Sequence, residues 1–435
     1  MSANPADPLD EVNPHYLNHV VATSQTHDVA VSEDILTGNG IKLLAKGARV
    51  DASTRERLLR HKLAKPLEEC LEIVDGLIPS RFVPIAVWLL EKHPLLNALC
   101  ATEQARGIPE SLGKLSLSMP MQSLLTVYGQ QHRDRVDHAV GVAMLAMALA
   151  RRLVPGDIGY HRTLATAGLV HDIGELYIDP ALVRRDARLD PAQWRHIAAH
   201  PLIAHRVLRD MAGAGKEIAN AVLLHHERLD GFGYPQGIRH DKFTLDGQIL
   251  AAAEWLMGLV ESGVTPLLRA SMAARLVPGE FAPDLLDIVS SAARTAPDMP
   301  IELTNAPPLE QVVPRILKMA ATLARFQQER AWIEEQIDAA APPVRAVLET
   351  GLQRIQRIRA SFSSTGLDAD SPERIVKELA ALRDARVYAE VVTLVGEMEW
   401  RLRELEREQR LRAGQLDAQG QRLITSLVAR LKGTS

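Results

Sequence analysis

Nine of the fifteen histidines in this chain fall between His132 and His226, in a stretch whose apolar residues recur three and four apart. Even spacing along 435 residues would place about three there. The helical period runs over residues 85–320 with few β-branched alternations, so imidazoles must be presented singly by several helices. Composition narrows the setting. At 46% hydrophobic and 24% charged, the chain has the material for a large core and is not a disordered or fibrous sequence. Its 54 acidic and 50 basic side chains, net −4, argue against a nucleic-acid protein that works through a general basic surface.

Cys70 and Cys100 are too few for a disulfide framework and read as buried thiols in a reducing compartment. The first twenty residues have no apolar signal core. The longest apolar run, residues 139–150, has 12 residues where a membrane span needs about 20. A cytoplasmic protein without a membrane span is expected.

The flanks read differently from the histidine-rich part. Residues 1–80 predict a small α/β module: apolar pairs on either side of Asn39-Gly40 suit a hairpin, Ser53 with Glu56 has the order of a capping box, and residues 71–74 look like a strand. Residues 321–435 carry no histidine and read as helices, one of them starting at Ser371-Pro372-Glu373. There Val395, Met398, Leu402 and Leu405 form a seam flanked by Glu399 with Arg403, Glu406 with Arg410 and Glu408 with Arg412. This seam serves either a coiled-coil homodimer or a helical hairpin within one chain.

The candidate chemistry lies in between. His171-Asp172 ends an apolar run, and His225-His226-Glu227 ends another and leads into Asp230-Gly231-Phe-Gly233-Tyr234-Pro235. Consecutive histidines on a helix project about 100° apart, so both reach one site only if it is broad, as a two- or three-metal cluster is. His138, with Asp134 one turn before it, and His200 add ligands from two more helices, a pattern suited to Fe, Mn or Zn in a helical bundle. No HExxH helix or cysteine pair offers another zinc pattern. His196 stands four residues before His200 but falls outside this series; His132, His161, His205 and His240 read as surface or supporting residues, and Met144, Met147 and Trp194 as core.

The order His138, His171-Asp172, His200-Pro201, His225-His226-Glu227, Asp230 to Pro235 resembles the HD-GYP branch of the HD phosphohydrolases, over roughly residues 125–260. The resemblance implies a mainly α fold, an HD-type helical bundle over residues 85–320. It implies metal-dependent hydrolysis of cyclic di-GMP to pGpG or GMP, with a hydroxide bridging the metals as the nucleophile. It also implies two or three divalent ions, Fe or Mn ahead of Zn, held by His138, His171, Asp172, His200, His225 and His226, with Asp172 bridging and His171-Asp172 at the catalytic centre.

Glu254 stands where the family has an aspartate ligand, and Asp134 where some members place a glutamate for a third metal. Glu175 replaces a family lysine near the scissile phosphate and reverses its charge. Arg185, Arg269 and the loop residues Asp230, Gly231, Tyr234 and Pro235 are the candidate substrate contacts, and Glu227 could hydrogen-bond a ligand histidine. In the family the loop is also implicated in contact with GGDEF-type cyclases. The departures at Glu175 and Glu254, and the poor match of residues 263–269 to a basic, tyrosine-containing stretch of the family, keep a second reading open, a weak or silent domain that binds cyclic di-GMP or a partner protein.

Overall fold

The computed structural model describes residues 12–103, 105–131, 133–184, 189–211, 213–239, 242–304, 306–364, 371–381 and 384–432. The protein is mainly α, and it divides into two compact units, residues 1–188 with 196–261, and residues 189–195 with 262–435. The division at 261/262 differs from the sequence expectation of breaks near 80 and 320.

In the first unit the N-terminal module is packed onto the helices and not set apart from them. Helix Pro14–Thr23 lies against both Met119–Gln131 and the short 3-10 helix Ile173–Tyr177. Tyr16 stacks on Tyr177 at 5.1 Å, and the Tyr177 hydroxyl donates to the buried Glu68 at 2.6 Å. Hydrogen-bonded aromatic packing of this kind joins elements far apart in sequence, which local period and turn signals do not report.

The small strands form as expected: Ile35–Leu36 pairs with Lys42–Leu44 around Asn39-Gly40, and Leu71–Ile73 pairs antiparallel with Val29–Val31. The capping box is two residues earlier than predicted. Asp51 accepts from the amides of Ser53 and Thr54 at 2.9 and 3.2 Å while the Thr54 hydroxyl accepts from the Asp51 amide at 3.1 Å. Ser53 is therefore inside the helix Ala52–Leu59, turned back to Asp51.

The apolar run 139–150 is buried throughout, on the helix Arg133–Leu153, which packs against Ile158–Val170, Phe82–Lys92 and Pro94–Cys100. Close approach to Ile158–Val170 depends on Gly168, where a Cβ would lie 2.6 Å from the Ala143 Cα. The two helices that carry His138 and His171 are thereby held backbone to backbone. Among the described residues no helix is long and apolar enough to cross a membrane.

The second unit is helical. Ala385–Ala413 packs on Pro342–Ser363, Ala418–Lys432 and Leu309–Ala339, and Val395, Met398 and Leu405 of the predicted seam are buried there. Three of the four seam residues are thus covered by their own chain, as in the hairpin alternative. Glu406–Arg410 and Glu408–Arg412 pair at 2.7 and 2.6 Å, whereas Glu399 turns to Arg315 at 2.8 Å instead of Arg403.

Candidate metal centre

The ligand candidates of the first unit sit largely at helix ends. His138 is in the second turn of Arg133–Leu153, and Glu254 is in the middle of Leu245–Ser262. His171 caps the C-terminus of Ile158–Val170, Asp172 begins the 3-10 helix Ile173–Tyr177, and His200 opens His200–Arg209. His225 and His226 do not diverge on a helix as expected, because the helix Gly215–Leu223 stops before them. In the turn beyond it their rings face the same site, 4.1 Å apart. Gly174 completes the convergence, since a Cβ there would fall 2.1 Å from the His200 carbonyl oxygen.

Two sets of ligand atoms result: Asp172, His200, His225 and His226 in one, His138, His171 and Glu254 in the other, with the atoms of each set within 4.8 Å of one another. Asp172 divides its oxygens between them. Its Oδ1 lies 3.2 Å from His200 Nε2 and 3.5 Å from His225 Nε2, and its Oδ2 lies 3.2 Å from His171 Nε2 and 3.7 Å from His138 Nε2.

Tautomers follow from the outer nitrogens. The Nδ1 atoms of His171, His200 and His225 lie 2.7, 2.8 and 2.6 Å from the carbonyl oxygens of Gly168, Ile197 and Val222. A carbonyl only accepts, so each Nδ1 carries a proton and Nε2 is the nitrogen turned inward, with a lone pair to offer whenever the ring is neutral. His138 Nδ1 is held in the same way by Glu261 Oε1 at 2.8 Å.

Yet His138 and His171 bring their Nε2 atoms to 3.2 Å, and His200 and His225 theirs to 3.1 Å. Glu254 Oε2 adds another acceptor, 3.1 Å from His138 Nε2 and 3.3 Å from His171 Nε2, buried and without a hydrogen bond. Acceptors facing acceptors at these distances fit a bound cation. Imidazole nitrogen with carboxylate oxygen is a donor set that Fe, Mn and Zn all accept.

The same field moves the pKa values. Burial lowers His171, but Asp172 and Glu254 outweigh it and push the ring up to about 10. Burial, with the neighbouring His171 and His200, takes His225 down to about 4. A proton on His171 is thus the competitor that a metal ion displaces.

Other predicted residues fall in different places. Asp134 is exposed in the first turn of its helix and belongs to neither set. His196 is exposed; His161 bonds the Val154 carbonyl at 2.8 Å and His205 the Asn220 side chain at 3.1 Å. Met144 and Met147 are core, and Trp194 lies under the Arg407 guanidinium at 3.8 Å within the second unit. Arg185, His132 and His240 lie outside the described residues. Arg269 belongs to the second unit, where it pairs with the buried Glu397 at 2.6 Å.

Glu227 touches no ligand histidine through its carboxylate. Both of its oxygens accept backbone amides, from Gln236 and Gly237 at 2.7 and 3.1 Å and from Ile238 at 3.1 Å, and so fix the loop after Asp230. In that loop Asp230 accepts from the Phe232 amide at 3.0 Å, Gly231 has φ +80°, Tyr234 stacks on His226 at 4.5 Å, and the Tyr234–Pro235 bond is cis.

Three neighbours escaped the sequence reading. Glu261 is seven residues after Glu254 on one helix face, a spacing that could have revealed it. Arg135, three before His138, forms an ion pair with Glu175, and its guanidinium carbon lies 5.1 Å from the centre of the Tyr128 ring. The Tyr128 hydroxyl is 3.5 Å from Asp172 Oδ2.

Residues 119–275 match the family model described as HD domain. A 3′3′-cGAMP-specific phosphodiesterase 3 of Vibrio cholerae is 27% identical over 204 residues, 45% of this chain and 44% of that one. The cyclic di-GMP phosphodiesterase PA4108 of Pseudomonas aeruginosa is 33% identical over 108 residues, 25% of this chain and 26% of that one. Each match spans less than half of the relative's own length. Among solved structures, Bd1817, a HDG"Y"P protein from Bdellovibrio bacteriovorus, matches with a TM-score of 0.35 and 15% identity, over 62% of this chain and 97% of that one.

Proposed function

We propose that this chain, whose residues 119–275 match the HD domain model, is a metal-dependent phosphodiesterase of cyclic dinucleotides of the HD-GYP type. The observation that carries this reading is the division of Asp172 between two sets of inward-facing acceptors, a layout for two ions sharing one carboxylate. Ions bound there supply Lewis acidity and a water of lowered pKa for attack on phosphorus.

The chain's own residues hold that arrangement. Backbone carbonyls and Glu261 fix the imidazole tautomers, Glu227 pins the loop, and the stacked His226 and Tyr234 form one wall beside the phosphate position. Pro235 and Gly231 shape that wall, and Arg185 is a further candidate contact. Two ions suit the site better than three, because Asp134 stands apart from both sets. The donor set accepts Fe, Mn and Zn alike, and the resemblance to the HD-GYP branch puts Fe or Mn ahead of Zn.

One of the three motives for the silent-domain reading weakens, since Glu254 lies beside His138 and His171 despite its extra methylene. The names of the relatives direct the substrate test to both cyclic di-GMP and 3′3′-cGAMP. Metal-loaded protein incubated with each, and followed by chromatography, should release a linear dinucleotide from at least one of them. Intact substrate in both incubations, with metal bound, would reject the activity and leave a binding module.

A further inference from the structure

We propose that Arg135 contacts the substrate, its guanidinium meeting a non-bridging oxygen of the scissile phosphate beside Asp172, and that Glu175 is the residue that positions it. The inference rests on the phosphodiesterase reading above. Arg135 and His138 are three apart on one helix face, so the helix that supplies a ligand also aims the guanidinium. The Arg135 side chain is 17% exposed and that of Glu175 18%, and Tyr128 links them to the metal site, lying under Arg135 with its hydroxyl 3.5 Å from Asp172 Oδ2.

Two partners orient the guanidinium. Its Nη1 meets the Glu175 carboxylate, and its central carbon lies over the Tyr128 ring, whose hydroxyl reaches toward Asp172. Five N–H donors in a planar fork exceed what one carboxylate and one ring occupy, and such a fork matches a phosphate edge. A shielded ion pair contributes little to stability for what its desolvation costs. Placed beside an acceptor cluster that handles a phosphodiester, it serves instead to hold a cation where charge gathers on phosphoryl oxygens. The negative Glu175 thus brings a positive group to the site through its neighbour.

The test is binding of inorganic phosphate to the full-length, manganese-loaded protein, by calorimetry, with metal content measured on each sample. Arg135→Ala should weaken phosphate about 10- to 100-fold at unchanged metal content, the scale of a lost charge-assisted contact. Arg135→Lys should recover part of that loss. Because Arg135→Ala leaves Glu175 without its cation and could unfold, Arg135→Met combined with Glu175→Met removes both charges together. This double variant should stay folded and metal-loaded and still bind phosphate weakly.

Phosphate affinity within about threefold of wild type in Arg135→Ala or in the double variant, or no phosphate binding by the wild type, would overturn the proposal. Cyclic dinucleotide turnover by the wild type, run on the same samples, separates the two claims. No turnover with an Arg135-dependent phosphate site rejects the phosphodiesterase and keeps the contact. Turnover with Arg135-independent phosphate binding does the reverse.

Discussion

In the second unit buried charges close on one another: Glu280 pairs with Arg401, Glu397 takes Arg269 at 2.6 Å, and Arg401 Nε is 3.4 Å from Glu397. In the first unit the two sets bring together inward imidazole nitrogens and two carboxylates, and among the described residues no arginine or lysine belongs to either set. Both clusters are shielded from water and both are helix-borne. The first closed set needs nothing more, whereas an acceptor-only set is complete only with a cation. Burial alone does not separate a structural cluster from a functional one; the signs and donor types of the groups do.

The contrast is most open to challenge at Asp172. Asp172→Ala removes the carboxylate shared by both sets, so elemental analysis should find both ions lost and turnover should fall by about 10³-fold or more. Retention of a full metal complement would erase the distinction between the units. In the second unit, Arg401→Ala takes one cation from Glu280, which keeps Arg354 at 3.8 Å, and one from Glu397, which keeps Arg269 at 2.6 Å, and urea unfolding should show a loss of about 1–3 kcal/mol with metal content unchanged. A metal deficit in that variant would mean the two clusters are not separable in this way.

Finer tests follow from the residues around the ligands. Glu261→Ala frees the His138 ring, and metal affinity measured by chelator competition should drop about 10- to 100-fold. Glu175→Lys sets two cations against each other at Arg135, so turnover should fall by about tenfold instead of rising toward a lysine-bearing site. An increase would show that Arg135 does not stand in for the missing charge.

The smallest effect concerns Cys70 and Cys100, whose thiols are pushed up by burial to about 11 and about 12. Both stay protonated at pH 8, and a thiol reagent should label them at least about tenfold more slowly in native protein than in urea.

The residues that the resemblance singled out, His138, His171, Asp172, His200, His225 and His226, lie together in the two sets, because ligand chemistry resides in residue types that a sequence displays directly. The fold class was legible from the helical period, and the run 139–150 proved to be core. What the sequence concealed depends on where helices stop. His225 and His226 share a site because their helix ends at Leu223, and Asp51, not Ser53, caps because the helix begins at Ala52.

Partner choice was equally hidden. Glu227 bonds loop amides where a histidine was expected, and Arg269 is claimed by Glu397, 128 residues away in sequence. Arg135 and Glu175 look like unrelated charges until two helices are packed together at Gly168.

The central claim is that the first unit's acceptor sets hold two ions through Asp172. The most direct measurement is elemental analysis of anaerobically purified protein, before and after loading with Fe or Mn. About two equivalents per chain, absent from Asp172→Ala, is the predicted result. Less than one equivalent after loading, in protein that remains folded, would contradict it.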